Sequence, residues 1–181
     1  MKILSITIIT LLFISQQANS EDRTAIQLAS SKGADQQVTE SANNTIVEPA
    51  AGIKDSVLGE LEQGRWELVM FWATYCPVCK RDFEKLAKFI DENPEIPFSV
   101  VGVVVDGIDE RDKAIKQIND RRLDYTHVMT DFDRSNKLYQ EVTNTALIGV
   151  PSQLLYDKEN KLAGFSRNAL DIEALELAIF E

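Results

Sequence analysis

The sequence predicts an α/β domain in which a mixed sheet carries helices on both faces, and three observations lead there. From Trp66 onward, short apolar runs of strand length alternate with stretches in which apolar residues recur every three to four positions. The first two runs, residues 68–72 and 98–105, are apolar almost throughout, as expected of parallel strands covered on both faces. The last two, residues 153–156 and 161–165, flank the polar turn Asp157-Lys158-Glu159-Asn160, which suggests a hairpin and an antiparallel end to the sheet.

Taken in order, the folded domain opens at Ile53, where Ile53, Val57 and Leu61 stand at helical spacing before Gly64. After the strand at 68–72, residues 76–92 read as a helix. Cys79, Phe83, Leu86 and Ile90 fall on one face, while Lys80, Arg81, Glu84, Lys85 and Lys88 lie largely on the other. Asn93-Pro94 ends it, because the residue before a proline is pushed out of the helical region. The β-branched run at 98–105 is the best central strand. Residues 109–120 follow as a helix facing inward through Ile115 and Ile118, and residues 126–130 as a shorter strand. Residues 135–142 repeat the helical spacing through Leu138 and Val142. After the hairpin, a last helix at 171–180 is buried through Ile172, Leu175 and Ile179. The order is βαβαβαββα, parallel first and antiparallel at the end.

The N-terminal third reads differently. Lys2 precedes a twelve-residue run, residues 3–14, that is apolar except for Ser5, Thr7 and Thr10. Such a run is shorter than the roughly 20 residues of a membrane span, and Ala18 and Ser20 sit where a signal peptidase would want small residues for a cut before Glu21. Residues 1–20 therefore read as a signal peptide for export, with an uncleaved membrane anchor as the alternative. Residues 21–52 are rich in Ala, Ser, Gln, Asn, Thr and acids, and no aromatic residue occurs between Phe13 and Trp66, so they read as a flexible leader. The net charge of −10 argues against nucleic acid and anionic membrane surfaces as partners.

The only two cysteines, Cys76 and Cys79, stand two residues apart at the junction of the first strand and first long helix. Two thiols one turn apart at a helix start can close into a small disulfide, and the helix amides favour a thiolate on the first. This reads as a redox site. A static disulfide would restrain little chain entropy across so short a loop. A structural zinc site usually takes four ligands, and the chain offers only these thiols and one histidine, His127, which reads as a core-edge or surface residue.

The segment Trp72-Ala73-Thr74-Tyr75-Cys76-Pro77-Val78-Cys79 resembles the thioredoxin-superfamily signature, and Gly149-Val150-Pro151-Ser152-Gln153-Leu154-Leu155-Tyr156-Asp157 resembles the loop and strand that carry its cis-proline. The resemblance covers residues 53–181 and is greatest to secreted TlpA-like and DsbE-like thiol-disulfide proteins. It implies a thioredoxin-like fold with an extra strand and helix, of the TlpA or peroxiredoxin type, between Phe98 and Asp120.

The resemblance and the physical chemistry together assign roles. Cys76 at the helix start is the expected nucleophile, and Cys79, one turn on and facing the core, the thiol that resolves the mixed disulfide. Pro77 suits the first helical position because it needs no amide partner. A cis peptide before Pro151, implied by resemblance alone, would present the Val150 backbone beside Cys76 for an extended substrate. Val78 belongs to the expected substrate-facing rim, and Trp72 and Tyr75 read either as part of that rim or as core packing beside the site, Trp72 as both. Met70 occupies the place where many thioredoxins carry a buried acid, and the resemblance implies that Asp82, the counterpart of a TlpA-like glutamate, takes the proton of Cys79; read from the residues alone, Asp82 is equally a solvated helix residue or a partner of Arg81 or Lys85.

The resemblance implies a reductase of disulfides in secreted proteins or apocytochrome c, working in the periplasm and kept reduced by a membrane electron donor, with no cofactor beyond its own sulfurs. Pro77-Val78 adds no histidine or charge to stabilise the thiolate strongly, which tilts away from an oxidase. An oxidase, a thiol peroxidase and a non-catalytic binding module are the other readings that the residues admit.

Overall fold

A computed structural model describes residues 46–49 and 52–180. The expected signal peptide and most of the expected leader lie outside the described residues. The strands are β1 (Ile46–Val47), β2 (Trp66–Trp72), β3 (Phe98–Val104), β4 (His127–Met129), β5 (Ser152–Tyr156) and β6 (Leu162–Ser166). The helices are α1 (Ile53–Leu58), α2 (Pro77–Glu92), α3 (Arg111–Arg121), α4 (Phe132–Thr143) and α5 (Ile172–Phe180).

One six-stranded sheet runs in the order β1-β4-β3-β2-β5-β6. The first four in that row are parallel to one another, β5 is antiparallel to β2, and β6 to β5. Helices cover both faces of this mixed sheet, with α1 packed on α4 and α2 on α5. The fold is thioredoxin-like. Central β2 is paired on both sides, and from Leu68 to Trp72 every residue is buried, which is why its sequence is a continuous apolar run rather than an alternating one.

This topology brings the chemistry to one edge. β2, β3 and β4 are parallel, so their C-terminal ends lie side by side, and antiparallel β5 brings its N-terminal end there too, with Ser152 opposite Phe71. The ends are stitched together beyond the strands. Val105 N donates to Trp72 O at 3.0 Å, Thr130 N to Val104 O at 2.9 Å, and Asp106 bridges Asp131.

Several element boundaries differ from the sequence expectation. Ile46–Val47 forms an edge strand beside β4 where no strand is expected. Helix α1 stops at Leu58, with Gly59 N donating to Asp55 O, so Leu61 lies beyond it. Helix α4 begins three residues early because Asp131 caps it, accepting from Arg134 N at 2.8 Å. On α2 the inward stripe passes through Phe89, whose ring meets Phe98 edge-on at 5.3 Å, and Ile90 is left 37% exposed. The helical period admits either residue, and the aromatic contact decides. Ile115, Val142, Ile172 and Ile179 are half-buried, while Ala114, Tyr139 and Leu175 lie deeper.

Candidate functional site

Helix α2 starts at the sulfur. Cys76 is its N-cap, in an extended conformation, and its Sγ accepts from Cys79 N at 3.0 Å. Pro77 follows at the first helical position, where a missing N–H costs nothing. The two cysteines form a disulfide with Cα atoms 5.4 Å apart. Their surroundings are unequal, since Cys76 retains 4% exposure at the edge of the sheet and Cys79 retains none.

The start of β5 meets this helix end. Val150 O lies 3.8 Å from Cys76 Sγ, and the Val150–Pro151 peptide bond is cis. Ser152 Oγ donates to Gly149 O at 2.9 Å, tying the loop back on itself. Pro151 is buried and Val150 half-buried. The two sequence-distant segments, residues 72–79 and 149–152, thus form one site.

The rim holds Tyr75, 67% exposed, with exposed Pro77 and half-buried Val78. Trp72 is not part of it. Its complete burial corrects the rim half of the sequence expectation and leaves the core-packing half. Its indole turns inward, edge-on to Phe83 at 5.2 Å and to His127 at 5.7 Å.

Asp82 is fully buried on α2. Its Oδ2 accepts from Leu170 N at 2.9 Å, and Oδ1 lies 3.4 Å from Lys85 Nζ, which itself donates to Leu170 O at 2.8 Å. The carboxylate therefore ties α2 to the segment before α5. Oδ1 has no hydrogen-bond partner within the protein, the Lys85 contact being an ion pair only.

His127 also departs from expectation. It is fully buried in β4, stacked at 4.6 Å on Tyr125, and occupies the space that a side chain at Gly102 would need. Burial pushes its pKa down to about 3, although the Leu123 backbone favours the charged ring. Burial likewise raises the Tyr125 phenol, and pushes Tyr156 up to about 12. Glu67, at the far end of β2, is raised by burial against the lowering effect of bonds from Glu62 N and Ser99 Oγ.

Two residues at the site edge were not singled out from sequence. Asp106 accepts from Thr74 N at 2.7 Å, and Gln117 donates to Thr74 O at 2.8 Å. An acid directly after a buried strand run was a readable signal for Asp106. Gln117 carried none.

The profile of the AhpC/TSA family matches residues 38–165. The chain belongs to the AhpC/TSA family. Among solved structures, this AhpC/TSA-family chain is similar to the thioredoxin domain of a thiol-disulfide oxidoreductase from Bacteroides vulgatus, with 22% identity, 65% of this chain and 81% of that one covered, and a TM-score of 0.52. It is also similar to a thiol:disulfide interchange protein of the thioredoxin family from Chlorobium tepidum, with 16% identity, 69% and 81% coverage and a TM-score of 0.55. At these identities the likeness establishes the fold. A search of curated proteins finds no match.

Proposed function

We propose that this AhpC/TSA-family protein is a periplasmic disulfide reductase acting on secreted proteins or apocytochrome c. The observation that carries the reading is a disulfide closed at a helix N-terminus with a main-chain carbonyl of the Val150-Pro151 loop 3.8 Å from its outer sulfur. In the reduced form, the Cys76 thiolate attacks one sulfur of a substrate disulfide. The substrate S–S bond breaks, one substrate sulfur leaves as thiolate, and a mixed disulfide forms on Cys76. Cys79 loses its proton and attacks Cys76 Sγ, releasing the second substrate sulfur and closing the disulfide seen in this structure. Two electrons have then passed to the substrate, and a membrane electron donor returns the pair to dithiol.

Particular features support the assignments. Cys79 N, aimed at Cys76 Sγ from the first turn of α2, stabilises a thiolate there. Complete burial keeps Cys79 away from solvent until a mixed disulfide forms. Asp82, one turn beyond Cys79, has a buried Oδ1 without a hydrogen-bond partner and is the proposed acceptor of its proton. Tyr75, Pro77, Val78, Val150 and Pro151 form the surface offered to substrate. Export rests on the sequence of residues 1–20.

The test is the equilibrium of the Cys76–Cys79 pair with glutathione, combined with trapping of partners by Cys79→Ser. A potential below about −200 mV, with protein adducts on Cys76, is expected; a value near about −120 mV would make the protein an oxidase instead. Adduct-free Cys79→Ser protein recovered from the periplasm would favour a binding module.

A further inference from the structure

The loop that leads from β2 to Cys76 is held by side chains from outside it. Asp106 Oδ2 takes the N–H of Thr74 at 2.7 Å, and Gln117 Nε2 reaches its carbonyl at 2.8 Å. Both main-chain polar groups of one residue are thus bound by side chains of the segment that runs from the end of β3 into α3. Thr74 is 1% exposed, so water is no ready substitute.

Asp106 is itself fixed. Its backbone bridges Asp131, and Gly107 N donates to Thr130 O at 2.9 Å. Gly107 has a φ of +87°, which lets the chain turn away directly after the carboxylate. The arrangement is not one that stability alone favours. Thr74 Oγ1, Asp106 Oδ1 and Gln117 Oε1 are all buried without a hydrogen-bond partner in the protein, and such groups are costly.

We propose that Asp106 and Gln117 are positioning residues for Cys76, gripping the Thr74 peptide so that the sulfur stays at the N-cap of α2, facing Cys79 N and Val150 O. Only Tyr75 separates Thr74 from Cys76, and Cys76 N donates back to Ala73 O at 3.1 Å. The turn from Ala73 to Cys76 therefore moves as a unit. Releasing Thr74 lets the turn rotate and draws Sγ off the helix terminus, where the amide and the dipole stabilise its negative charge. The inference rests on Cys76 being the attacking thiol, but concerns only where that sulfur is held.

The test compares two variants of equal charge. Asp106→Asn keeps an oxygen that can accept from Thr74 N; Asp106→Ala does not. The charged groups on the first turns of α2 are Lys80, Arg81, with Nη1 3.5 Å from Pro77 O, and buried Asp82 with its ion-pair partner Lys85; Asp106 lies just past β3, and Asp131 directs its carboxylate to Arg134. Both variants leave those cations, Asp82 and Asp131 unchanged. The readout is the rate of iodoacetamide alkylation of Cys76 in the reduced full-length protein across pH, with the modified residue identified by mass spectrometry.

Asp106→Ala is expected to react about two- to fivefold more slowly than Asp106→Asn on the acidic side of the profile, with its midpoint at higher pH. Identical profiles for the two would overturn the proposal. Should Asp106→Ala fail to fold, Gln117→Leu decides, because it removes the donor to Thr74 O without changing charge. Its midpoint is expected above that of the wild type, and a superimposable profile overturns the proposal. A wild type that alkylates normally yet reduces no protein disulfide would sink the functional reading and leave this comparison intact.

Discussion

Substituting Gly102 by alanine tests the packing beneath the site. Gly102 in β3 stands directly opposite His127 in β4. A Cβ there would collide with the imidazole Nδ1, lie 2.7 Å from Cε1 and 3.1 Å from Cγ. Ordinary carbon contacts begin near 3.5 Å, so the ring would have to retreat by roughly 1 Å. It has little room to do so. Tyr125 stacks on it at 4.6 Å, Trp72 meets it edge-on at 5.7 Å, and the residue has no exposed surface. Overpacking a filled core costs about 1–3 kcal/mol, and a backbone-borne Cβ pressed into a confined ring belongs at the upper end, about 3 kcal/mol. For a domain of this size that lowers Tm by roughly 10 °C. Urea unfolding of Gly102→Ala, His127→Ala and the double variant measures it as a cycle. His127→Ala alone loses the ring contacts and leaves a cavity. In the double variant the new Cβ enters that cavity, so the combined loss is expected to fall short of the sum by about 2 kcal/mol. Strict additivity would refute the packing argument, as would a Gly102→Ala protein of unchanged stability.

Acid should act on the same ring. His127 is held well below the 6.5 of a free imidazole, at about 3, so the unfolded chain takes up a proton that the folded one refuses. The stability associated with the neutral ring is complete above pH 6.5 and is lost as pH falls toward 3, by about 3 kcal/mol at pH 4. Glu67 works in the opposite sense, since its raised pKa favours the folded state at low pH and that contribution fades as pH rises through the folded value. Urea midpoints between pH 7 and 4 are expected to fall less steeply for His127→Phe, which retains Glu67; equal slopes would count against a buried neutral histidine. At Asp82, asparagine can still accept from Leu170 N but cannot take a proton at neutral pH. Stopped-flow release of a mixed disulfide from Cys76 is expected to slow at least about tenfold in Asp82→Asn with stability nearly kept, whereas Asp82→Ala should also lose about 1–3 kcal/mol through the unbonded Leu170 amide. Unchanged release in Asp82→Asn would reduce Asp82 to an anchor for Leu170.

Most strands and helices were legible because each has a strong period or a continuous apolar run, and both halves of the site announced themselves as short motifs at helix and strand ends. What escaped depended on partners distant in sequence. Trp72 reads from sequence as rim and core alike, and only the contacts of its indole with Phe83 and His127 decide for the core. His127, polar and isolated in the sequence, is buried because glycine opposite it leaves room for a ring. The choice of Phe89 over Ile90 rests on Phe98, nine residues away on the next strand. The grip on Thr74 joins residues 32 and 43 positions apart, and no periodicity encodes such a bond.

The two residues enclosed by the cysteines differ from the packed sulfurs on either side of them. Pro77 is exposed and Val78 half-buried, while Cys76 and Cys79 on either side and Trp72 and Phe83 beneath are packed. Variation at this dipeptide costs folding less than at the cysteines, apolar replacements least at Val78 because it packs against the core, so that drift or laboratory selection can tune the sulfur pair's electron affinity without rebuilding the scaffold. Pro77 is the more constrained of the two, since only a residue content with helical φ and no amide partner can replace it freely. Val78 is the position at which a randomised library should first find proteins of altered potential that still fold.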